Sequence, residues 1–369
     1  MSKRRKKKLT RRQQEIRRKR LKKRKRRRAI VIIIELIILC ILGTTAFALF
    51  KLGKMERTSL TNIKNNGLKQ TGYTNIALFG LDSRGKSLGK GNRTDTIMVA
   101  SINNETKKVK LISVYRDTML KQNGEHYDKA NAAYSVGGPE TAVNMLNENL
   151  DLDIQDYVSV NFLALADVID MVDGITVKMT DEEVVHMNNY CVETSKVTGK
   201  KYKKIEPAVA GTYKLNGVQA VSYARIRYTA GGDYKRTERQ RLVLEKTANK
   251  LKKQNLATIN KIIDKVMPEV STSFSTKEIL ALASGAFDFE LGETSGFPFD
   301  LETPDSVPGY SGSYVIPKGL EENVIKLHEF LFPDEDYTPT ETVTNISDTL
   351  INMTNVYPST TGSGTSQYE

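Results

Sequence analysis

Cysteine and histidine are scarce in this 369-residue chain, with two of the first and three of the second. Two thiols cannot build a disulfide framework. Cys40 lies in a long apolar run and Cys191 in the globular remainder, so they do not pair within one chain. His126, His186 and His328 show no metal-ligand spacing, which argues against a zinc centre. No internal repeat and no kinase signature is found. Acidic residues are almost missing from the first 28 positions, where nineteen Lys and Arg stand against Glu15 alone. That tail carries +18 of a chain whose net charge is +13, so the rest carries −5. The basic character is therefore a tail and not the surface of the folded part, which argues against a nucleic-acid-binding domain.

Ala29 to Phe50 is almost wholly apolar (AIVIIIELIILCILGTTAFALF). As a helix these residues reach about 33 Å, enough to span a bilayer core. The sequence predicts a basic cytoplasmic tail (1–28), one transmembrane helix (29–50) and everything later outside the cell membrane, following the positive-inside rule. The tail suits anionic headgroups. A cleaved signal peptide is the alternative, with Ala46-Phe47-Ala48 as its small-x-small site, but the apolar stretch and the basic region before it are long for one.

Residues 51–72 read as a polar stalk. Asn75 to Leu81, Thr96 to Asn103 and Lys108 to Tyr115 read as strands, the last two as a hairpin across Asn104-Glu105-Thr106. Asn131 to Leu150 reads as two helical pieces around Gly137-Gly138, with Pro139 in the first turn of the second. Tyr157 to Asn161 and Ile175 to Met179 are strands and Phe162 to Met171 is a helix between them. Thr180 to Ala210 reads as a polar insertion. Gly211 to Arg227 reads as a helix start and then a strand, Lys235 to Gln254 as a charged helix, and Leu320 to Leu331 as the last helix. From residue 336 the Thr- and Ser-rich composition predicts a disordered tail. Strands and helices alternate, so residues 73–335 are expected to form an α/β domain, a central mixed β-sheet covered by helices.

Three segments carry chemistry. Residues 80–95 (GLDSRGKSLGKGNRTD) bring Asp82 and Arg84 off a strand into a glycine-rich loop that returns with Arg93 and Asp95. Two carboxylates at the mouths of such a loop suit one hard cation, and Mg²⁺ takes one or two carboxylates plus phosphate oxygens. In ISVYRDT, Arg116 and Asp117 follow a buried strand, where open sheets bind ligands. In YARIRYTAGGDYKRTERQR, Arg225 and Arg227 share one face if extended, and Arg236, Arg239 and Gln240 share one face if helical, with Asp233 between the groups. Arginines so focused suit phosphate oxygens. Each segment alone also fits a solvated, salt-bridged surface. Together they fit phosphoryl transfer, which is largely positioning and charge stabilisation.

LFGLDSRGKSLGKGNRTDTIMVASIN, ISVYRDT, DKANAAYSVGG and LNGVQAVSYARIRY…GDYKRTERQR, in this order, resemble the motifs of the LytR–CpsA–Psr family over residues 73–255. The resemblance implies an α-β-α sandwich with an apolar pocket for a polyprenyl chain. It also implies a Mg²⁺-assisted phosphotransferase that moves an anionic glycopolymer, such as teichoic acid or capsule, from a polyprenyl-pyrophosphate carrier to peptidoglycan. By that resemblance Asp82 and Asp95 are metal-associated, and Arg93, Arg116, Arg225, Arg227, Arg236 and Arg239 contact pyrophosphate together with Gln240. The resemblance matches Asp233 to the acid before the second arginine group and places Lys129 in a segment where a basic side chain reaches phosphate; Arg84, in the glycine-rich loop, is a further candidate phosphate contact, and Asp95 is a candidate for proton removal as well as a metal ligand. Tyr115 stands where a proline is common, and Tyr228 to Gly232 lacks acids often found there. The alternatives are a non-catalytic binder of lipid-linked glycans, a pyrophosphatase on the same lipid, and a membrane-tethered transcription regulator, for which the tail is too short and too uniformly basic.

Overall fold

The computed structural model describes residues 56–82, 88–285 and 288–359. The basic tail, the apolar run 29–50 and Arg84 lie outside the described residues. Among the described residues no helix is long and apolar enough to cross a membrane.

In chain order the elements are β1 (Glu56–Arg57), β2 (Tyr73–Leu81), β3 (Thr94–Asn103), β4 (Lys108–Val114), β5 (Met119–Lys121), β6 (Tyr127–Lys129), α1 (Ala132–Leu150), β7 (Ile154–Asn161), α2 (Phe162–Met171) and β8 (Ile175–Met179). There follow α3 (Asp181–Thr198), β9 (Gly211–Leu215), α4 (Gly217–Arg225), α5 (Gly232–Leu251), α6 (Leu256–Val266), β10 (Val270–Thr272), α7 (Thr276–Gly285), β11 (Glu290–Phe297), β12 (Leu301–Glu302), β13 (Ile316–Pro317), α8 (Leu320–Leu331) and α9 (Glu341–Thr354).

The seven-stranded sheet has the order β1-β10-β7-β2-β3-β4-β11. β2, β3 and β4 are an antiparallel meander, while β7 runs parallel to β2 and β11 parallel to β4, so the sheet is mixed as expected. β2 to β4 are central, and both their faces are buried. Ala77, Phe79, Ile97, Val99 and Ile112 pack under α1, α8 and α9. On the other face Val158 and Val160 meet α2 and α6, and Ile76 and Ile102 meet Phe274 and α7. Covering both faces removes the apolar sheet from water, the main source of stability here.

Local chemistry explains the helix limits. Gly138 has φ 74° and ψ −161°, a conformation closed to other residues, and kinks α1 where Pro139 restarts it. Asn161 caps α2 by accepting from the Ala164 amide. Asn216 and Gln219 form a capping box on α4. A Cβ on Gly217 would stand 2.2 Å from the Ala166 carbonyl oxygen, so glycine is what lets α4 lie directly on α2.

Three expectations are corrected. Residues 56–72 are not a free stalk. The Thr61 and Asn62 amides donate to Glu140, the Lys64 amide donates to Asn144, and Leu60 and Ile63 pack on the main core. Thr180 to Ala210 is not an irregular insertion. It contains α3, opened by a Thr180/Glu183 capping box and closed by Gly199, with buried Val184, Met187 and Cys191 facing α4. Residues 336–359 are not a disordered tail, because α9 buries Val343, Ile346 and Leu350 against the core.

One carboxylate fastens this C-terminal helix. Asp151, fully buried at the left-handed end of α1, accepts from Tyr337, from the Thr340 amide and hydroxyl, and from Asn66. His328 stacks on Tyr337 at 3.5 Å and donates through Nε2 to the Leu150 carbonyl. Replacing Asp151 with Ala strands four donors and is expected to cost about 2–4 kcal/mol, read by urea unfolding. Burial pushes the His328 imidazole below its ordinary 6.5, outweighing Leu150 and Asp151. Its neutral form is the one the fold favours, so this stabilisation is complete above the unfolded pKa and is lost as pH falls through the folded one. Calorimetry should show a fall in Tm from neutral to mildly acid pH that is shallower in His328→Gln.

Candidate functional site

A cavity of about 490 Å³ lies between the sheet and α2, α4 and α5. Leu78, Met98, Val158 and Val160 form its floor, and Phe162, Leu165, Val221, Ala224, Val243 and Leu244 its walls. Where β2 and β7 end and β3 begins, the lining turns polar, with Asp82, Arg93, Asp95, Arg116, Arg225, Arg227, Arg236 and Gln240. Five guanidinium groups thus share one mouth with two carboxylates. Such a cavity takes an apolar chain with an anionic head.

Arg236 is the deepest of these charges at 1% exposure. Its Nη2 donates to Asp233 Oδ2 at 3.0 Å and lies 2.9 Å from Oδ1. Nε and Nη1 have no partner among the described residues. Burial, with Arg227 and Arg116 nearby, pulls the guanidinium down to about 10 against the opposing pull of Asp233 and Asp95. Two unpaired donors on a buried cation are costly unless an anion meets them.

Asp95 holds the mouth together. Arg116 Nη1 donates to its Oδ1 at 2.5 Å, Arg227 approaches the same oxygen at 3.7 Å, and Gln240 Nε2 donates to its carbonyl at 3.4 Å. Burial raises the carboxyl pKa, but the charges of Arg116, Arg236 and Arg227 outweigh it and hold the group below its ordinary value. Asp233, 3.8 Å from Arg227, shifts the other way, because burial and nearby Asp117 outweigh Arg236, Arg227 and Arg116. The Asp82 amide donates to the Arg93 carbonyl at 3.1 Å and closes the neck of the loop between them. Asp82 and Asp95 both face the cavity, an oxygen donor set that suits Mg²⁺ completed by substrate oxygens. Among the described residues no cluster of three or more metal-ligating side chains occurs.

The residues of Gly80 to Ser87 (GLDSRGKS) also have the spacing of a nucleotide phosphate loop. That motif joins a strand to a helix. Here the segment lies between antiparallel β2 and β3, and no helix stands between these strands among the described residues.

Two sequence-predicted residues stand elsewhere. Arg239 does not share the cavity face of Arg236. It donates to Glu183 at 2.9 Å, to the Ile226 carbonyl and to Thr229, and so ties the 226–231 loop to α3. Lys129 pairs with Asp117 at 3.3 Å and sits over the Tyr314 ring, away from the cavity lining. Arg225 and Arg227 are not on a strand, for Arg225 ends α4 and Arg227 follows it in the loop. Both still line the cavity, and Arg225 lies on Phe162 and Tyr190 while pairing with Glu193. Tyr190 was missed by sequence reasoning because its helix was not recognised, although the Thr-x-x-Glu capping signal at 180–183 was there to find.

Fold and site together define an α/β domain with an apolar cavity and an arginine-rich mouth. Residues 44–293 match the model of the LytR_cpsA_psr family, and the chain belongs to that family. It is 31% identical over 254 residues to Biofilm regulatory protein A of Streptococcus mutans serotype c, covering 65% of this chain and only 60% of that relative. It is 29% identical to polyisoprenyl-teichoic acid–peptidoglycan teichoic acid transferase TagU of Enterococcus faecalis, covering 67% of this chain and 78% of the relative. Two solved structures share the fold. TagT bound to LI-WTA has TM-score 0.57 at 23% identity, covering 75% of this chain and 98% of that one. YwtF (TagT) with bound octaprenyl pyrophosphate lipid has TM-score 0.53 at 21% identity, covering 74% and 99%.

Asp233→Asn leaves the Arg236 charge without its counterion and is expected to lower stability by about 3 kcal/mol in urea unfolding. Inorganic pyrophosphate should raise the Tm of the unaltered protein by a few degrees through binding to the native state. Arg236→Met, which removes the buried charge and keeps the volume, should abolish that rise.

Proposed function

We propose that this chain is a phosphotransferase that moves an anionic glycopolymer of the teichoic acid or capsule type from a polyprenyl-pyrophosphate carrier to peptidoglycan. In this reading the chain is anchored by residues 29–50, with its basic tail in the cytoplasm and its folded domain on the outer face of the membrane. The carrying observation is Arg236, a buried guanidinium with two unpaired nitrogens where an apolar cavity meets four more arginines. An isoprenoid chain suits the apolar floor and its pyrophosphate suits the arginines. The name of TagU and the octaprenyl pyrophosphate captured in TagT support the same assignment.

Arg116, Arg227 and Arg236 hold the pyrophosphate oxygens, and Arg93 and Arg225 flank them. Asp82 and Asp95 would hold Mg²⁺, which when bound supplies positive charge at those oxygens. A sugar hydroxyl of peptidoglycan attacks the phosphorus that carries the glycan. The bond from that phosphorus to the bridging oxygen breaks, and polyprenyl phosphate leaves with its charge met by arginine. Asp95 and Asp233 both flank Arg227, and the hydroxyl proton is assigned to this carboxylate pair. Asp95, held low by three arginines, stays an anion suited to the cation.

The purified full-length chain, with a synthetic polyprenyl-pyrophosphate glycan, peptidoglycan fragments and Mg²⁺, should give a phosphodiester-linked adduct by mass spectrometry. Arg116→Ala and Arg227→Ala should each lower transfer by about 10²–10³-fold while circular dichroism stays unchanged. Free glycan phosphate without adduct would identify a pyrophosphatase, and tight binding without turnover a glycan-binding protein. Full activity in both variants would overturn the assignment.

A further inference from the structure

The 226–231 loop carries an aromatic ring that the anion site does not use. Tyr228 follows Arg227 directly and is 72% exposed, an unusual state for so large an apolar surface. Its ring lies nearly parallel to that of Tyr190, at an interplanar angle of 21° and a centroid distance of 6.5 Å. His186, one turn earlier on α3, presents its ring to Tyr228 at 6.2 Å. Tyr190 itself lines the cavity and carries the Arg225 guanidinium on its face. The three rings therefore form a strip that begins at the charged mouth and runs outward over α3. Two exposed carboxylates border it, Glu182 beside His186 and Glu193 beside Arg225.

We propose that this strip is a saccharide subsite, with Tyr228 as the platform for one pyranose ring. The inference rests on the reading of the arginine mouth as a pyrophosphate site. A pyranose has a face of C–H groups that packs on an aromatic ring and a rim of hydroxyls that needs polar partners. Tyr228 offers the ring and its own hydroxyl, and Glu182 and Glu193 offer acceptors. Tyr190 joins the two sites, since it lines the cavity and stacks with Tyr228 just outside it. The same acids disfavour a contact with anionic lipid headgroups, the other common use of an exposed tyrosine near a membrane. The sugar has two possible sources, the first residue of the donor glycan or the acceptor strand, and the recognition chemistry is the same for both.

The test uses the full-length chain in detergent and three probes: farnesyl pyrophosphate, farnesyl pyrophosphate bearing one N-acetylglucosamine, and a soluble disaccharide-peptide fragment of peptidoglycan. Calorimetry gives the affinity ratio of the sugar-bearing to the sugar-free carrier. If the donor sugar occupies the strip, Tyr228→Ala lowers that ratio by about tenfold, the size of one aromatic contact, and Tyr228→Trp keeps it. If the acceptor occupies it, the ratio holds and Tyr228→Ala weakens the peptidoglycan fragment by a similar factor, which also supports the proposal. An unchanged ratio together with unchanged fragment binding overturns it, and a loss confined to partitioning onto phosphatidylglycerol vesicles overturns it in favour of a membrane contact. If the unaltered protein binds neither farnesyl probe, the pyrophosphate reading fails and takes this inference with it. Binding of the sugar-free probe combined with indifference to Tyr228 sinks the saccharide subsite alone.

Discussion

A guanidinium group buried without enough counter-charge constrains everything around it. Arg236 is carried by α5 to the end of an apolar cavity, where water cannot serve its nitrogens. Asp233, one turn earlier, pairs with one of the three nitrogens, and the other two have no partner among the described residues. The surrounding arginines intensify this. Arg227 and Arg116 raise the cost of the Arg236 charge, and Asp95 moderates all three. The site is thus held in a state that favours a multiply charged ligand over a single carboxylate. A pyrophosphate suits it because its oxygens can answer several forks at once.

The apolar half of the site comes from the way the helices are stacked. Gly217 lets α4 lie on α2, and this places Val221 and Ala224 over the sheet and Arg225 at the cavity mouth. Arg239, which does not touch the cavity, holds the backbone of Ile226 and the side chain of Thr229, so the loop that presents Arg227 is fixed from behind. The helix-borne part of the charged end and the walls of the greasy interior are therefore set by the same helices. A shift of α4 would alter both together.

Much of this was legible in the sequence where one local signal dominated. Phe162–Met171 and Leu320–Leu331 have the limits their apolar patterns give, and the kink of α1 at Gly138 falls within the Gly137-Gly138 dipeptide that predicts it. α3 was not legible in that way. It buries polar side chains such as Asn188 and Thr194, so its pattern shows little contrast between faces. α9 looked disordered because Thr and Ser dominate it, yet Asp151 supplies acceptors that only the folded chain assembles. For the site, residue type picked out the arginines and carboxylates, but not which of them face the cavity. Successive residues of α5 are turned by about 100°, which sends Gln240 to the cavity and Arg239 to the opposite loop. Lys129 was misread for a related reason, since its carboxylate partner Asp117 becomes a neighbour only through the fold.

The segment before β2 has a mechanical meaning. It runs from the sheet edge at β10, across α1 through Glu140 and Asn144, to the carboxylate of Asp151 that also clasps the C-terminal helix. A load entering from the amino end is thus spread over a row of side-chain clasps before it reaches the central strands. Those clasps sit under α1 and α9, across the sheet from the cavity. A pull on the amino end would meet these contacts first, on the face of the sheet that the arginine mouth does not share.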